Sequence, residues 1–333
     1  MKRRPWMAIP GALAAMTLSL AACVTAQVDL PVTAVPAGPA VAIQTTLVPL
    51  DPTDPGRVAI RDFVFAGGIA ITSNQTSRLH GLSDLVVEPD GEILSVSDDG
   101  ADLFTGQLVL DDAGRLVGLK NGAIRPLTGL DGQPLQGKEW SDAEGIARLG
   151  DGGMLVSFER NHRIWGYAPS RDRHPRPVAM PGVPMADNDG MEGLAAALTV
   201  SPDAYWVGVE PGGIWFCRLR KACNEVAGLP KPPVGYRLSS LTTGPKGELV
   251  ILHHSYIPTI GSRIIVTVIG DPLGAKRVVA SFAITPPMTV DNFEGVSIVP
   301  RADSGWRIYL LSDDNFSASQ RTLLLAFDWT PPK

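Results

Sequence analysis

The chain has 333 residues, of which 44% are hydrophobic and 19% are charged, and its formal net charge at pH 7 is −5. Residues 1–22 hold three basic and no acidic side chains, so the rest carries 26 Lys and Arg against 34 Asp and Glu, a net charge of −8. A protein that binds a polyanion by charge usually carries a basic stripe. None is visible here, which argues against nucleic acid as a partner.

The N-terminus has the pattern of a lipoprotein signal peptide. Three basic residues at positions 2–4 precede an apolar run that ends in Leu20, Ala21, Ala22 and Cys23. The run is short for a transmembrane helix, the alternative, which needs about 20 residues. We predict cleavage before Cys23, lipidation of this cysteine and membrane attachment through the lipid. Val24 favours the outer membrane, on the periplasmic side of the cell envelope.

The remaining chain divides into a tether and one domain. Residues 23–56 are rich in Pro, Ala, Val and Thr, which is typical of an extended tether, although its far end could already be strand. From residue 57 to residue 333, short apolar runs alternate with Gly, Pro, Asp and Asn, which predicts an all-β domain. No stretch resembles a coiled coil, so a monomer is the default expectation.

An internal repeat is the most informative feature of this domain. Each copy has an apolar strand, a turn of the Asp-Gly type and a second strand that ends in polar residues, which is a β-hairpin signature. The five copies span residues 80–100, 144–161, 192–212, 237–256 and 294–315. The spacing predicts a β-propeller of about six blades. The sixth would be a divergent blade closed by the N-terminal strands around residues 58–71 and the C-terminal strand at residues 322–329. A β-sandwich or a two-domain β protein is the alternative.

Acidic residues recur at two positions of the repeat. One set precedes the glycine that opens the first strand, and we predict that it is catalytic: Glu144, Glu192 and Glu294. The other set ends the second strand, and we predict that it binds metal: Asp98, Glu159, Glu210 and Asp313. Asp99, Asp314, Asn161 and Asn315 could add oxygen ligands. Strand ends open on one face of a propeller, and Ca²⁺ takes six to eight oxygen ligands. The expected cofactor is therefore a divalent metal, with Ca²⁺ favoured. The alternative is that these side chains only cap strand ends.

Basic residues and histidines lie beside these acids. Arg160, Arg163 and Arg321 are candidates for binding an anionic group, and Arg160 is favoured among them, with a structural salt bridge as its alternative role. His254 takes the acidic position in the fourth copy and is predicted to be catalytic or a metal ligand. Neighbouring residues on a strand point to opposite sides, so at most one of His253 and His254 faces the channel. His80 is a weaker candidate.

Cys217 and Cys223 are predicted to form a local disulfide, with two free thiols as the alternative. The chain lacks the G-x-S-x-G and H-E-x-x-H motifs, and it has no phosphate-binding loop of the G-x-x-x-x-G-K-[ST] type, because Glu139 follows the G-x-x-x-x-G-K match at residues 132–138. Any hydrolase built on this sequence should therefore be metal-assisted.

Several of these motifs together resemble the phytase-like domain family. They are GLSDL (81–85), SDDG (97–100), DAEGIA (142–147), SFERN (157–161), MEGLA (191–195), NFEGVSI (292–298), YLLSDDN (309–315) and QRTLLLAFD (320–328). The resemblance implies an exported propeller with esterase-like activity that hydrolyses a phosphate or carboxylic ester of a small molecule. The sequence leaves open a non-catalytic propeller that binds a ligand or scaffolds envelope proteins. It also leaves open a strictosidine-synthase-like or lactonase-like propeller that acts on carbon esters.

Overall fold

The structure is a computed structural model that describes residues 40–169, 174–302 and 304–331. The predicted signal peptide and the lipidation site Cys23 lie outside the described residues. No helix within the described ranges is long and apolar enough to cross a membrane. The described elements, in chain order, are β1 (Gln44–Leu47), β2 (Ala59–Ile60), β3 (Phe63–Thr72), β4 (Leu82–Val87), β5 (Glu92–Ser97), β6 (Asp102–Leu110), β7 (Leu116–Pro126), α1 (Lys138–Ser141), β8 (Ala143–Arg148), β9 (Met154–Phe158), β10 (Arg163–Tyr167), β11 (Arg176–Pro177), β12 (Gly193–Ala196), β13 (Ala204–Gly208), β14 (Ile214–Arg218), β15 (Asn224–Glu225), β16 (Arg237–Thr243), β17 (Leu249–Ile257), β18 (Gly261–Gly270), β19 (Arg277–Ile284), β20 (Asn292–Pro300), β21 (Trp306–Asp313) and β22 (Leu323–Trp329).

The described strands form five antiparallel sheets, which are the blades of a β-propeller. Blades 1 to 4 are simple meanders, made by β4–β7, β8–β11, β12–β15 and β16–β19. The first strands of the five sheets, β4, β8, β12, β16 and β20, contact one another in a closed ring around the centre. The predicted all-β propeller is confirmed, with five blades rather than about six.

Blade 5 explains the difference in blade number. Its strand order is β20-β21-β22-β3-β1, so the N-terminal strands extend the C-terminal sheet and do not form a blade of their own. Phe63 of β3 lies opposite Trp329 of β22, and this pairing closes the ring. Strand β1 lies within the stretch predicted as tether, so the propeller takes in residues before Arg57.

The hydrophobic core is divided among the interfaces between neighbouring blades. Leu94 and Val96 of blade 1, for example, pack with Ile146 and Val156 of blade 2. Side chains alternate between the two faces of each sheet, and each blade has a neighbouring blade on both faces. The apolar side chains of one blade therefore pack against both neighbours. The polar ends of the strands are left for the two open faces of the disc.

Four of the five inner strands begin with a local irregularity. The pairing register shifts at Ser83, Glu144, Ser239 and Glu294, whereas Glu192 lies directly before β12. A bulge redirects a side chain that would otherwise lie in the regular ladder. Glu144 and Glu294 are therefore displaced from the regular ladder, at the end of the inner strands where Glu192 also lies.

Candidate functional site

The two recurring positions meet on one face of the propeller. The backbone N–H of Asp98 donates to Gly81 O, that of Glu159 donates to Asp142 O, and that of Glu210 donates to Gly190 O. The end of each second strand therefore lies beside the start of the first strand of the same blade. His254 of blade 4 pairs with Arg237, and Asp313 of blade 5 pairs with Asn292, in the corresponding places.

Eight carboxylates converge at this face, and we call this set the acidic mouth: Asp98, Asp142, Glu144, Glu159, Glu192, Glu210, Glu294 and Asp313. One oxygen from each of Asp142, Glu144 and Glu159 lies within 4.8 Å of the others. The same holds for Glu159, Glu192 and Glu210. Glu159 belongs to both groups, so the two possible cation positions adjoin each other.

Only part of this negative charge is balanced by protein cations. Lys138 Nζ lies 3.0 Å from Asp98 Oδ2 and 2.7 Å from Asp142 Oδ1, and Arg160 Nε lies 2.6 Å from Asp142 Oδ2. Arg237 Nε lies 2.6 Å from Glu210 Oε1. Within the described parts of the chain, no lysine or arginine pairs with Glu144, Glu192, Glu294 or Asp313.

Burial and mutual repulsion raise the pKa values of these acids. Burial is the main cause for Glu144, Glu192 and Glu294, whose pKa values lie well above the usual range, and neighbouring carboxylates raise them further. The pKa of Asp313 is raised in the same way. Burial, with smaller contributions from neighbouring acids, raises the pKa values of Glu159 and Glu210 to about 7. A bound cation would reverse this effect, because it favours the ionised carboxylates.

The donor set fits a hard divalent cation. Every member of the two groups is a carboxylate, which is the ligand type that Ca²⁺, Mg²⁺ and Mn²⁺ prefer. Ca²⁺ binds oxygens at about 2.3–2.6 Å, so two of its ligand oxygens can be nearly 5 Å apart. Ser83 fixes the first group by donating a hydrogen bond of 2.6 Å from Oγ to Glu144 Oε2.

A comparison with models of protein families gives the family of this chain. Residues 77–316 match the family model named Phytase-like and described as esterase-like activity of phytase. The match covers more than half of the chain. The chain belongs to the phytase-like family. No curated protein matches its sequence significantly.

Solved structures resemble this phytase-like chain only distantly. A protein of unknown function from Bacteroides thetaiotaomicron is 8% identical, with a TM-score of 0.45, over 86% of this chain and 76% of that one. A catalytically inactive variant of virginiamycin B lyase from Staphylococcus aureus with quinupristin is 12% identical, with a TM-score of 0.40, over 86% and 99%. Similarity at this level gives no argument about activity.

The acidic mouth of this phytase-like protein contains all seven acids that the sequence predicts as catalytic or metal-binding. Arg160 lies at its rim, paired with Asp142 and 39% exposed in its side chain. Arg163 has a different environment, because its guanidinium packs 3.9 Å from the Phe158 ring and 4.4 Å from the Trp165 ring. It also donates to the Trp140 carbonyl, so it anchors the segment that carries Lys138.

The histidines are less closely tied to the mouth. His254 occupies the expected position in blade 4, but it belongs to neither carboxylate group among the described residues. Burial alone lowers the pKa values of His253 and His254 to about 4. The catalytic role of His254 stays a prediction. His80 Nδ1 lies 2.6 Å from Asp314 Oδ2, so these two side chains are engaged with each other.

The remaining candidates have identifiable local roles. Asp314 accepts hydrogen bonds from Gly81 N and Thr322 Oγ1, and these contacts lower its pKa together with His80 despite its burial. Arg321 pairs with Asp291 at 3.2 Å. The other three candidates lie in turns beyond the second strands: Asp99, Asn161 and Asn315. Cys217 and Cys223 form a disulfide within blade 3.

Three important residues escape the sequence argument. Asp142 belongs to one carboxylate group, and its place two residues before Glu144 in the DAEGIA motif is the signal that could have found it. Lys138 supplies a countercharge from α1, for which the sequence offers no signal. Asp84 lies below the mouth, where its carboxylate accepts hydrogen bonds from Ile146 N at 2.9 Å and Ser240 Oγ at 2.7 Å.

A separate cavity lies at the opposite end of the inner strands. It has a volume of about 820 Å³ and is lined by residues such as Val87, Ala147 and Thr243. Two of its charged residues, Glu88 and Arg148, lie 3.7 Å apart and compensate each other. The acidic mouth holds buried carboxylates that no lysine or arginine of the described residues pairs with, so it is the better candidate for chemistry.

Proposed function

We propose that this phytase-like protein is a metal-assisted hydrolase of a phosphate or related ester, with Ca²⁺ bound in the acidic mouth. The observation that carries the proposal is the convergence of Glu144, Glu192, Glu294 and Asp313, which are buried close together without a protein cation. Carboxylates in this state remain protonated or take up a cation. Membership of a family described by esterase-like activity supports a hydrolytic role.

The cation would be held by the two carboxylate groups that share Glu159. When bound, it would supply Lewis-acid activation of the ester and of a water molecule. Lys138 and Arg160 lie at the rim with side chains 41% and 39% exposed, so both can contact oxygens of an anionic substrate. The Arg160 guanidinium presents donors in a planar fork that matches a phosphate group.

Glu294 is the best placed of the three glutamates to transfer a proton. It lies outside both three-carboxylate groups, and Asn292 Nδ2 donates to its Oε1 at 2.7 Å. Burial and neighbouring carboxylates raise its pKa and so favour the protonated carboxyl group, even though the Asn292 contact acts in the opposite direction. In the proposed reaction, Glu294 gives this proton to the leaving oxygen of the ester.

The decisive test is hydrolysis by the purified protein. The assay would compare para-nitrophenyl phosphate, para-nitrophenyl acetate and phytate, each with calcium and with a chelator, for wild type and Glu159→Gln. We expect chelator-sensitive turnover that Glu159→Gln reduces at least about 100-fold, because Glu159 belongs to both groups. Glu225→Gln, at an exposed position of the outer strand β15, should retain wild-type turnover.

If no ester is hydrolysed, the melting temperature of the same samples distinguishes a non-catalytic cation site from the absence of a metal site. If calcium raises it in wild type but not in Glu159→Gln, and no ester is hydrolysed, the mouth is a cation site of a non-catalytic binding propeller. If calcium changes neither turnover nor melting temperature, the proposed metal site is wrong.

A further inference from the structure

Blade 4 carries a second group of polar side chains beside the acidic mouth. His253 and Ser255 lie on the same side of β17, and Arg263 of β18 is directly opposite Ser255. Leu249 and Ile251 share this side of β17 and pack against residues of blade 3 such as Trp206. The three polar side chains therefore face the interface between blades 3 and 4.

These side chains are buried without enough partners. His253 is 2% exposed and Ser255 is 3% exposed. Neither ring nitrogen of His253 has a hydrogen-bond partner, nor does Nε of Arg263. Buried polar groups are nearly always satisfied, so three unpartnered nitrogens at one place indicate a missing partner. His253 and Arg263 are diagonal neighbours on adjoining strands, a separation that long side chains can bridge.

The charge of this group is also uncompensated. Arg263 Nη2 donates to Ser255 Oγ at 2.9 Å, and its guanidinium carbon lies 5.2 Å from the centre of the Tyr236 ring. Within the described residues, no carboxylate lies within ion-pairing distance of Arg263. Arg263 is only partly buried, so solvent can reach its side of the group.

The donor chemistry selects an anion. Arg263 contributes a positive charge and a free Nε–H, and a neutral histidine contributes one N–H. The Ser255 hydroxyl already accepts a bond from Arg263, so its own hydrogen is available to donate. Three donors and one positive charge match the several acceptor oxygens of a tetrahedral oxyanion, whereas a metal cation would be repelled by the guanidinium.

We propose that His253, Ser255 and Arg263 form an oxyanion site that binds a phosphate group. We call it the blade 4 anion site. It lies next to the acidic mouth, because His254 follows His253 and occupies the mouth position of this blade. The inference goes beyond the proposed hydrolysis and does not depend on it, since an anion would bind here whether or not an ester is cleaved.

Inorganic phosphate is the probe for this site. The full-length protein, freed of metal with a chelator, would be titrated with phosphate against chloride of matched ionic strength, with binding followed by calorimetry and by melting temperature. We expect saturable phosphate binding that Arg263→Gln weakens at least about tenfold, because a charge-assisted contact is lost. Arg263→Lys should bind with intermediate affinity, since it keeps the charge but not the planar fork.

Arg277→Gln is the matched control, because Arg277 is an exposed arginine on the outer strand β19 of the same blade. It should bind phosphate as wild type does. Equal phosphate binding by wild type and Arg263→Gln, or no binding beyond the chloride reference, would overturn the proposal and leave water as the missing partner. Phosphate binding by wild type without any calcium binding by wild type would count against the proposed hydrolase only.

Discussion

Asp84 shows how a single side chain joins several blades. It comes from blade 1, yet its carboxylate accepts hydrogen bonds from Ile146 N of blade 2 and Ser240 Oγ of blade 4. Ser240 Oγ in turn accepts from Val296 N of blade 5. Burial raises the pKa of Asp84 well above its usual range, although these hydrogen bonds oppose the shift. The residue therefore links the inner strands directly below the acidic mouth.

Replacement of Asp84 should reveal this role. Asp84→Ala leaves Ile146 N and Ser240 Oγ without their acceptor, and we expect a loss of about 2 kcal/mol or more in the free energy of unfolding, measured by urea denaturation. Asp84→Asn should lose less, because one acceptor oxygen remains. Asp62→Ala, at an exposed position, is the control. Equal stability of Asp84→Ala and the control would contradict the role.

At the scale of the strands, small residues let the inner ring close tightly. Glycine follows the recurring glutamate at Gly145, Gly193 and Gly295, where the neighbouring inner strand passes close by. A Cβ added to Gly295 would lie 2.9 Å from Leu85 Cβ and 3.0 Å from Leu85 N. The Glu-Gly pair therefore combines a carboxylate of the acidic mouth with a close contact between inner strands directly after it.

A methyl group at Gly193 tests this packing. In Gly193→Ala the new Cβ would lie 2.5 Å from Leu241 Cγ and 3.1 Å from Leu238 Cδ2. We expect a loss of about 1–3 kcal/mol in the free energy of unfolding, because the strand has to shift away from blade 4. Gly182→Ala is the matched control, since no atom lies within 4 Å of its added Cβ. A wild-type unfolding midpoint for Gly193→Ala would show that the ring is looser than inferred.

For the whole molecule, closure of the ring brings like charges together. The carboxylates of the mouth come from strands up to 215 residues apart in the chain, as for Asp98 and Asp313. Each would be tolerated alone at a strand end, but together they raise one another's pKa values. The metal-free fold therefore carries an electrostatic cost that depends on pH.

This cost predicts the pH dependence of stability. The pKa values of Glu159 and Glu210 are raised from 4.5 to about 7, so the folded state holds protons that the unfolded state has released. Stability from these groups is therefore lost as pH rises from about 4.5 and through the folded-state pKa of about 7. His253 and His254 act in the opposite direction, but only between about 4 and 6.5, because burial lowers their pKa values.

The range from pH 6.5 to 8 isolates the glutamates. We expect the melting temperature of the metal-free protein to fall across this range by at least about 2 °C, and the fall to be smaller in Glu159→Gln. Saturating calcium should abolish the fall in wild type, because the cation replaces the protons. A melting temperature that rises over this range without metal would contradict the assignment of the raised pKa values.

The sequence by itself determined the repeating hairpins, the all-β propeller and the seven recurring acids, because strand alternation, turn residues and repeat spacing are local signals. Only the tertiary structure decided the number of blades, since the pairing of β3 with β22 joins segments about 250 residues apart. The same applies to Lys138, to Asp84 and to the side of β17 that His253 faces. These features depend on which blades become neighbours when the ring closes, and the local pattern of one strand does not encode that contact.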